Sequence, residues 1–344
     1  MMPIHFLSRQ ELDSLVRKRA HETKLGERVQ LVDACSDVKS LGDQLRQMSA
    51  PYVLIGFPED IGVRANYGRA GAYSAWQPAL ESILNIQSNA FLQGNELIVL
   101  GHVRMDDLME QASKLSTKKS EDVQELRRLT SLIDQRIAPI IECILRSDKK
   151  IIAVGGGHNN AYPLIKGMST ALAAKVNVLN LDAHSDFRPL EGRHSGNGFS
   201  YAYEEGFIQH YHALGIHENY CTDAVVEKFN RAEALHLYTY EEVFLRGKHE
   251  FTSLADTICE SDEAHAWGFE IDLDSIQNIP SSAKTSSGML PIDVRKFMYD
   301  FVKKCEPHYL HIAEGAPVLS HIKTDNKTGK LIAYLISDFV KALK

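Results

Sequence analysis

The chain has 344 residues, 44% apolar and 24% charged, the balance of an ordinary folded globular protein with room for one large α/β domain or two small ones. A formal charge of −7 with no basic tract argues against a nucleic-acid surface. No window approaches the roughly 18 apolar residues needed to span a bilayer, and Met1 to Leu7 lacks a signal-peptide core, so neither membrane attachment nor export is expected.

Residues 1–50 read as a helical N-terminal extension, opened by a capping box at Ser8-Arg9-Gln10-Glu11. Beyond it, apolar runs alternate with amphipathic ones. The expected strands are Tyr52–Gly56, Glu96–Leu100, Ile151–Val154, Val176–Leu181, Tyr211–Gly215, Leu235–Tyr238, His265–Ile271 and Tyr309–Ile312. They are rich in Val, Ile, Leu and aromatics, as strands buried on both faces should be. Leu126, Leu129, Ile133, Ile137, Ile140 and Ile144 fall at helical spacing, and Pro139 should kink or break that helix. Pro291 opens another helix, with Val294, Phe297, Met298, Phe301 and Val302 as its stripe. Helices between strands predict an α/β fold with a mostly parallel sheet of about eight strands, helices on both faces and ligands beyond the carboxyl ends of the strands. One domain over 51–344 follows. Cys35, Cys143, Cys221, Cys259 and Cys305 form no Cys-x-x-Cys pair, which reads as reduced thiols in a cytoplasmic chain with no disulfide frame.

Polar residues gather at three strand ends. Ile151–Val154 runs into Gly155-Gly156-Gly157-His158, where the glycines permit a tight turn. Val176–Leu181 runs into Asp182-Ala183-His184-Ser185-Asp186, whose i, i+2, i+4 spacing converges on one point. His265–Ile271 leads to Asp272-Leu273-Asp274 on one face. Singly, each also reads as a structural feature: a histidine after a glycine turn, a capped strand end, a pair of turn-forming aspartates. Jointly they supply two histidines and four aspartates, the ligand set for two metal ions roughly 3.5 Å apart with bridging carboxylates. Such a pair ionises a shared water near neutral pH. Carboxylate and imidazole suit manganese, nickel or iron, which these residues alone do not separate.

This constellation resembles the ureohydrolase superfamily of arginase, agmatinase and formimidoylglutamase, over roughly Tyr52 to Pro317. The resemblance implies a single three-layer αβα domain and two Mn2+ ions. His158, Asp182, Asp186 and Asp272 would hold one ion; Asp182, His184, Asp272 and Asp274 would hold the other. Glu270 stands where the family usually has serine. Glu314, in Ala313-Glu314-Gly315-Ala316-Pro317, would pair with the amidine or guanidine nitrogens of the substrate, and Asp186 would move the proton. The segment Gly62-Val63-Arg64-Ala65-Asn66-Tyr67-Gly68-Arg69 and the pair Phe187-Arg188 look most like formimidoylglutamase. Arg64, Arg69 and Arg188 are candidate forks for a substrate carboxylate, with loop-bracing as the alternative for each. Ser195-Gly196-Asn197-Gly198-Phe199 follows that enzyme's Ser-Gly-Thr-Pro-Phe with Thr-Pro replaced, a change expected to loosen a substrate loop. Ser195, Asn197 and His217 are further candidates for that pocket. His194, one position before the proton-shuttling histidine of arginases, reaches the site only if its loop is shifted. The resemblance implies hydrolysis of N-formimino-L-glutamate by a homo-oligomer. The alternatives are a urea-releasing guanidine hydrolase or a metal-binding relative without turnover.

Overall fold

The computed structural model describes residues 2–261, 265–320 and 326–344. In chain order the strands are β1 (Ile4–Phe6), β2 (Gln30–Leu31), β3 (Tyr52–Gly56), β4 (Leu97–Val103), β5 (Lys150–Val154), β6 (Val176–Leu181), β7 (Ile208–Ile216), β8 (Leu235–Thr239), β9 (Trp267–Asp272) and β10 (Tyr309–Ala313). The helices are α1 (Arg9–Leu15), α2 (Val38–Gln47), α3 (Ile61–Ala65), α4 (Trp76–Leu84), α5 (Asp106–Ser113), α6 (Ser120–Leu145), α7 (Ala161–Leu172), α8 (Gly198–Glu204), α9 (Asp223–Arg231), α10 (Phe251–Ser261), α11 (Pro291–Cys305) and α12 (Lys327–Ala342). All the strands join one sheet in the order β1-β4-β3-β5-β10-β9-β6-β7-β8, with β2 beside β1 on the outer edge of β4. Among the described residues only β1 pairs antiparallel.

Alternation of side chains divides the core between the two faces of the sheet. Leu54, Ile152, Phe269 and Ile312 pack beneath Trp76 of α4, Ile258 of α10, Phe297 and Phe301 of α11, and Phe339 of α12. Val53, Ile151, Val178 and Tyr211 pack against Leu41 of α2, Ile133 and Ile137 of α6, Ile165 of α7 and Phe199 of α8. The result is the three-layer αβα arrangement expected from the alternating pattern.

Three expectations need correction. Residues 1–50 are not only helical: β1 and β2 add to β4, and at three and two residues they are too short to show a period. Helix α6 is not broken at Pro139, which sits on its exposed side while its apolar stripe stays packed on both sides of the proline. Cys259 and Cys305 form a disulfide, with Cα atoms 5.8 Å apart, because α10 packs on α11; 46 residues of separation leave no spacing signal. Among the described residues no helix is long and apolar enough to cross a membrane.

The central strands tolerate little added volume. Gly268 of β9 lies opposite Tyr309 of β10, and a Cβ there would stand 2.4 Å from the buried ring. Gly268→Ala is expected to cost about 1–3 kcal/mol, read as a lower urea midpoint. An unchanged midpoint would show that Tyr309 gives way freely.

Candidate metal centre and active site

Four neighbouring strands, β5, β10, β9 and β6, end at one place. Strands β9 and β10 lie between β5 and β6, so residues far apart in sequence (158, 182, 272 and 314) meet above the same sheet edge. This is a topological switch point, where open α/β sheets form their crevice.

The turn after β5 requires glycine. Gly155 and Gly156 have φ of 87° and 74°, and a Cβ on Gly156 would lie 2.2 Å from the Asn160 amide. Buried Glu59 clamps the turn: its Oε1 accepts from Gly157 N–H (3.0 Å) and from the Asn160 amide (2.7 Å), and its Oε2 from Ile61 N–H (2.8 Å). Burial lifts its pKa to about 7 against the pull of Asn160. The clamp fixes His158, whose ring also meets Phe199 edge-on.

His158 Nδ1 lies 3.1 Å from Asp182 Oδ2, 3.0 Å from Asp186 Oδ2 and 3.2 Å from Asp272 Oδ2. The ligand atoms of these four residues fall within 4.8 Å of one another. The other oxygen of Asp182 turns the opposite way: Oδ1 accepts from His184 N–H (2.8 Å) and lies 3.6 Å from His184 Nδ1. Asp182 thus presents one oxygen to each histidine, the disposition a bridging carboxylate needs. Asp272 Oδ1 accepts from Asp274 N–H at 2.6 Å. The second expected set, Asp182, His184, Asp272 and Asp274, is more open, because Asp274 turns to Ala283 N–H (3.0 Å) and the Ser282 hydroxyl (3.2 Å).

Electrostatics show what the cluster lacks. Burial, then the charges of Asp182 and Asp274, push Asp272 well above the usual carboxylate range. Burial, then Asp182, raise Asp186, and burial raises Asp274. Burial also opposes ionisation of Asp182, but hydrogen bonds to His158 and His184 hold its pKa below the usual value. Burial disfavours charge on the two imidazoles, yet their carboxylate partners raise His158 well above its ordinary value and His184 to about 10. The shifts mark an excess of buried negative charge that a divalent ion would offset, and this set of oxygen and imidazole donors suits one.

A cleft of about 250 Å³ opens above the cluster, walled by Asn66, His184, Asp186, Arg188, Ser195, Tyr220, Asp272, Asp274, Ser282 and Glu314 among others. Glu314 and Asp186 both have positive φ, 61° and 44°, strain that clusters at functional sites. Glu314 Oε1 accepts from His158 N–H at 2.9 Å. Among the described residues its buried Oε2 has no donor within hydrogen-bond geometry; the Ser282 hydroxyl donates to Asp274. Burial, then Asp272 and Asp274, raise the pKa of Glu314 well above the ordinary value, against the lowering pull of the Ser282 hydroxyl.

Of the expected pocket residues, Arg188 and Ser195 line this cleft and the others do not. Arg188 donates to Asn66 Oδ1 (2.9 Å) and Glu191 (3.3 Å), and Asn66 donates to Ser195 Oγ (3.3 Å). Arg64 is spent on the Leu115 carbonyl, and Arg69 is exposed on its loop. His217 is buried against Tyr240, 4.6 Å between ring centroids. His194 is fully buried: Nδ1 accepts from Gly196 N–H (3.1 Å) and Nε2 meets Glu191 (3.2 Å). Burial, then Arg127, Arg188 and Arg193, push its pKa down to about 3, so it braces the loop. Asn197 is likewise buried in loop contacts. Tyr220, stacked on His184 at 5.0 Å, lines the cleft as its place after β7 suggested, whereas the Ser282 hydroxyl and the Ala283 N–H were not foreseen. Tyr220 lies in the His217–Tyr220 segment at the same end of the sheet; nothing in the sequence marks Ser282.

The arginase-family profile matches residues 50–341. A formimidoylglutamase of Vibrio vulnificus strain YJ016 is 26% identical, covering 99% of this chain and 98% of its own. The crystal structure of Trypanosoma cruzi formiminoglutamase with Mn2+ superposes with a TM-score of 0.68 at 21% identity, over 90% of this chain and 99% of that one. The formimidoylglutamase of Bacillus subtilis strain 168 gives 0.71 at 17% identity, over 95% and 94%. With the profile spanning most of the sequence, the chain belongs to the arginase family, as a hydrolase of carbon–nitrogen bonds in linear amidines.

Proposed function

We propose that the chain hydrolyses N-formimino-L-glutamate to L-glutamate and formamide, using two divalent ions held by His158, Asp182, His184, Asp186, Asp272 and Asp274. The relatives' names support the substrate, and the manganese of the Trypanosoma cruzi structure supports Mn2+ as the metal, with Ni2+ and Fe2+ as substitutes of similar ligand preference. The observation that carries the reading is Glu314 Oε2, a buried carboxylate oxygen at the wall of the cleft with no donor among the described residues. An amidinium N–H is the partner it lacks.

The bound metal pair would supply a water ionised near neutral pH and a positive field over the amidine. Everything else falls to this chain's side chains. Glu314 holds the amidinium nitrogen and fixes the carbon in the cleft. Asp186, strained into the cleft wall, carries the proton of the attacking water to the leaving amine nitrogen. The C–N bond to glutamate then breaks, leaving formamide. Arg188 and Asn66, at the rim beside Ser195, present donors to the glutamate carboxylates, and Tyr220 stacks on the His184 ring.

Three measurements test this. Manganese-loaded protein given N-formimino-L-glutamate should release formamide and glutamate; urea from arginine, agmatine or guanidine instead would move it to the guanidine hydrolases. Asp182→Asn and Asp272→Asn should each lose metal content and turnover together, turnover by about a hundredfold or more. Either variant keeping both would overturn the ligand assignment. Arg188→Ala should raise KM about 10- to 100-fold with kcat nearly unchanged, since it removes a charged hydrogen bond that is the same in ground and transition states. An unchanged KM would remove Arg188 from substrate recognition.

A further inference from the structure

The side chains one pleat below the metal ligands form a second polar layer. The register aligns Asn180 of β6 with Glu270 of β9, and Glu270 with His311 of β10. With a period of two, Asn180 lies under Asp182 and Glu270 under Asp272, on the same face of the sheet. All three are fully buried. A carboxylate at such depth needs fixed partners. Glu270 Oε1 accepts from the Tyr309 hydroxyl at 2.8 Å, and Oε2 lies 2.5 Å from His311 Nδ1. His311 Nε2 in turn faces the Gly155 carbonyl at 3.2 Å, at the start of the glycine turn that carries His158.

Glu270 Oε2 also stands 3.4 Å from His158 Nε2. That nitrogen is buried and has no closer partner among the described residues. Since Nδ1 of the same ring faces Asp182, Asp186 and Asp272, it is Nδ1 that binds a cation, and it does so only when unprotonated. The ring proton then sits on Nε2 and points at Glu270. A third cation among His158, Glu270 and His311 does not fit. Two ligand atoms each about 2.0–2.1 Å from a tetrahedral ion stand well over 3 Å apart, whereas Glu270 and His311 are at hydrogen-bond distance.

We propose that Glu270 is a positioning residue for the metal centre: its carboxylate, fixed by Tyr309 and His311, accepts the Nε2 proton of His158 and so sets the ring to offer Nδ1 to the metal. The inference rests on the metal reading of the site. It gives a reason for glutamate at a position where the resembling family usually has serine.

The test is Mn2+ titration calorimetry on the full chain after metal removal by a chelator. Wild type should bind two ions. Glu270→Gln, nearly isosteric, should also bind two, with one site weakened about 10- to 100-fold, the range for losing an outer partner of a ligating histidine. In a His158→Ala background the same change should shift Mn2+ affinity by less than about threefold, because its route of action is gone. In Zn2+-loaded, 15N-histidine-labelled protein, the Nε2–H signal of His158 should move upfield in Glu270→Gln. Tyr309→Phe, a milder variant, should weaken binding in the same direction should Glu270→Gln fail to fold. Two ions in wild type with unchanged affinity and unchanged Nε2–H signal in Glu270→Gln would overturn this inference alone. An equal loss in the His158→Ala background, or three ions in wild type, would overturn it too. A wild type that takes up no metal would overturn the metal reading and this inference with it.

Discussion

Three buried aspartates and the half-buried Asp186, facing two histidines at one sheet edge, set the terms for the rest of the molecule. Carboxylates this close and this dry cannot all carry charge without a counter-ion, and each unpaired buried charge costs several kcal/mol. The neighbouring carboxylates raise both imidazoles, His184 to about 10 and His158 well above its ordinary value, though burial opposes both. In the proposed function divalent cations would take the place of the protons on these imidazoles, which would link metal affinity to pH.

The fold exists at this point to aim those groups. Placing β9 and β10 between β5 and β6 makes four parallel strands end side by side, so rigid elements carry the candidate metal ligands and loops wall the cleft above them. The strain is local. Asp186 and Glu314 hold positive φ, and Glu314 is anchored by its own N–H to the Gly156 carbonyl at 3.0 Å and by its Oε1 to His158 N–H. Glu59 supports the glycine turn from the other side. His158 is thereby held through its backbone N–H, through Nδ1 facing three carboxylates and through its ring against Phe199.

How much of this was legible depends on which physical signal each part carries. The central strands announce themselves as apolar runs because both faces are buried, and the half-buried edge strand β8 still carries enough Leu and Tyr to be read; β1 and β2, with three and two residues, carry too little pattern. The metal-ligand candidates are legible because strand ends put i, i+2 and i+4 on one side, and His158, Asp182, Asp186 and Asp272 do converge. Loop residues obey no such period. Arg64, Asn197 and His217 looked like substrate contacts by type and position, yet each has its polar atoms or its ring engaged within the protein. The Cys259–Cys305 pairing depends on how α10 packs on α11, which no local spacing encodes.

The segment Ser195–Phe199 shows how a substitution that looks loosening need not be. Asn197-Gly198 replaces a rigid Thr-Pro, and proline restricts the backbone where asparagine and glycine do not. But Asn197 meets four partners: its Oδ1 accepts from Arg193 Nη1 (2.7 Å) and His194 N–H (3.0 Å), and its Nδ2 donates to the carbonyls of Gly192 (2.8 Å) and Pro189 (3.2 Å). Arg193 is itself held between the rings of Tyr162 and Tyr201 and paired with buried Asp134. Gly198 lets α8 start close to the turn: a Cβ there would lie 3.2 Å from the His158 carbonyl. The constraint that proline would place in the covalent backbone is placed here in a side-chain network. His194, buried in the same network, braces that loop, while Asp186 stands in the cleft wall where the proposed mechanism needs its acid–base group.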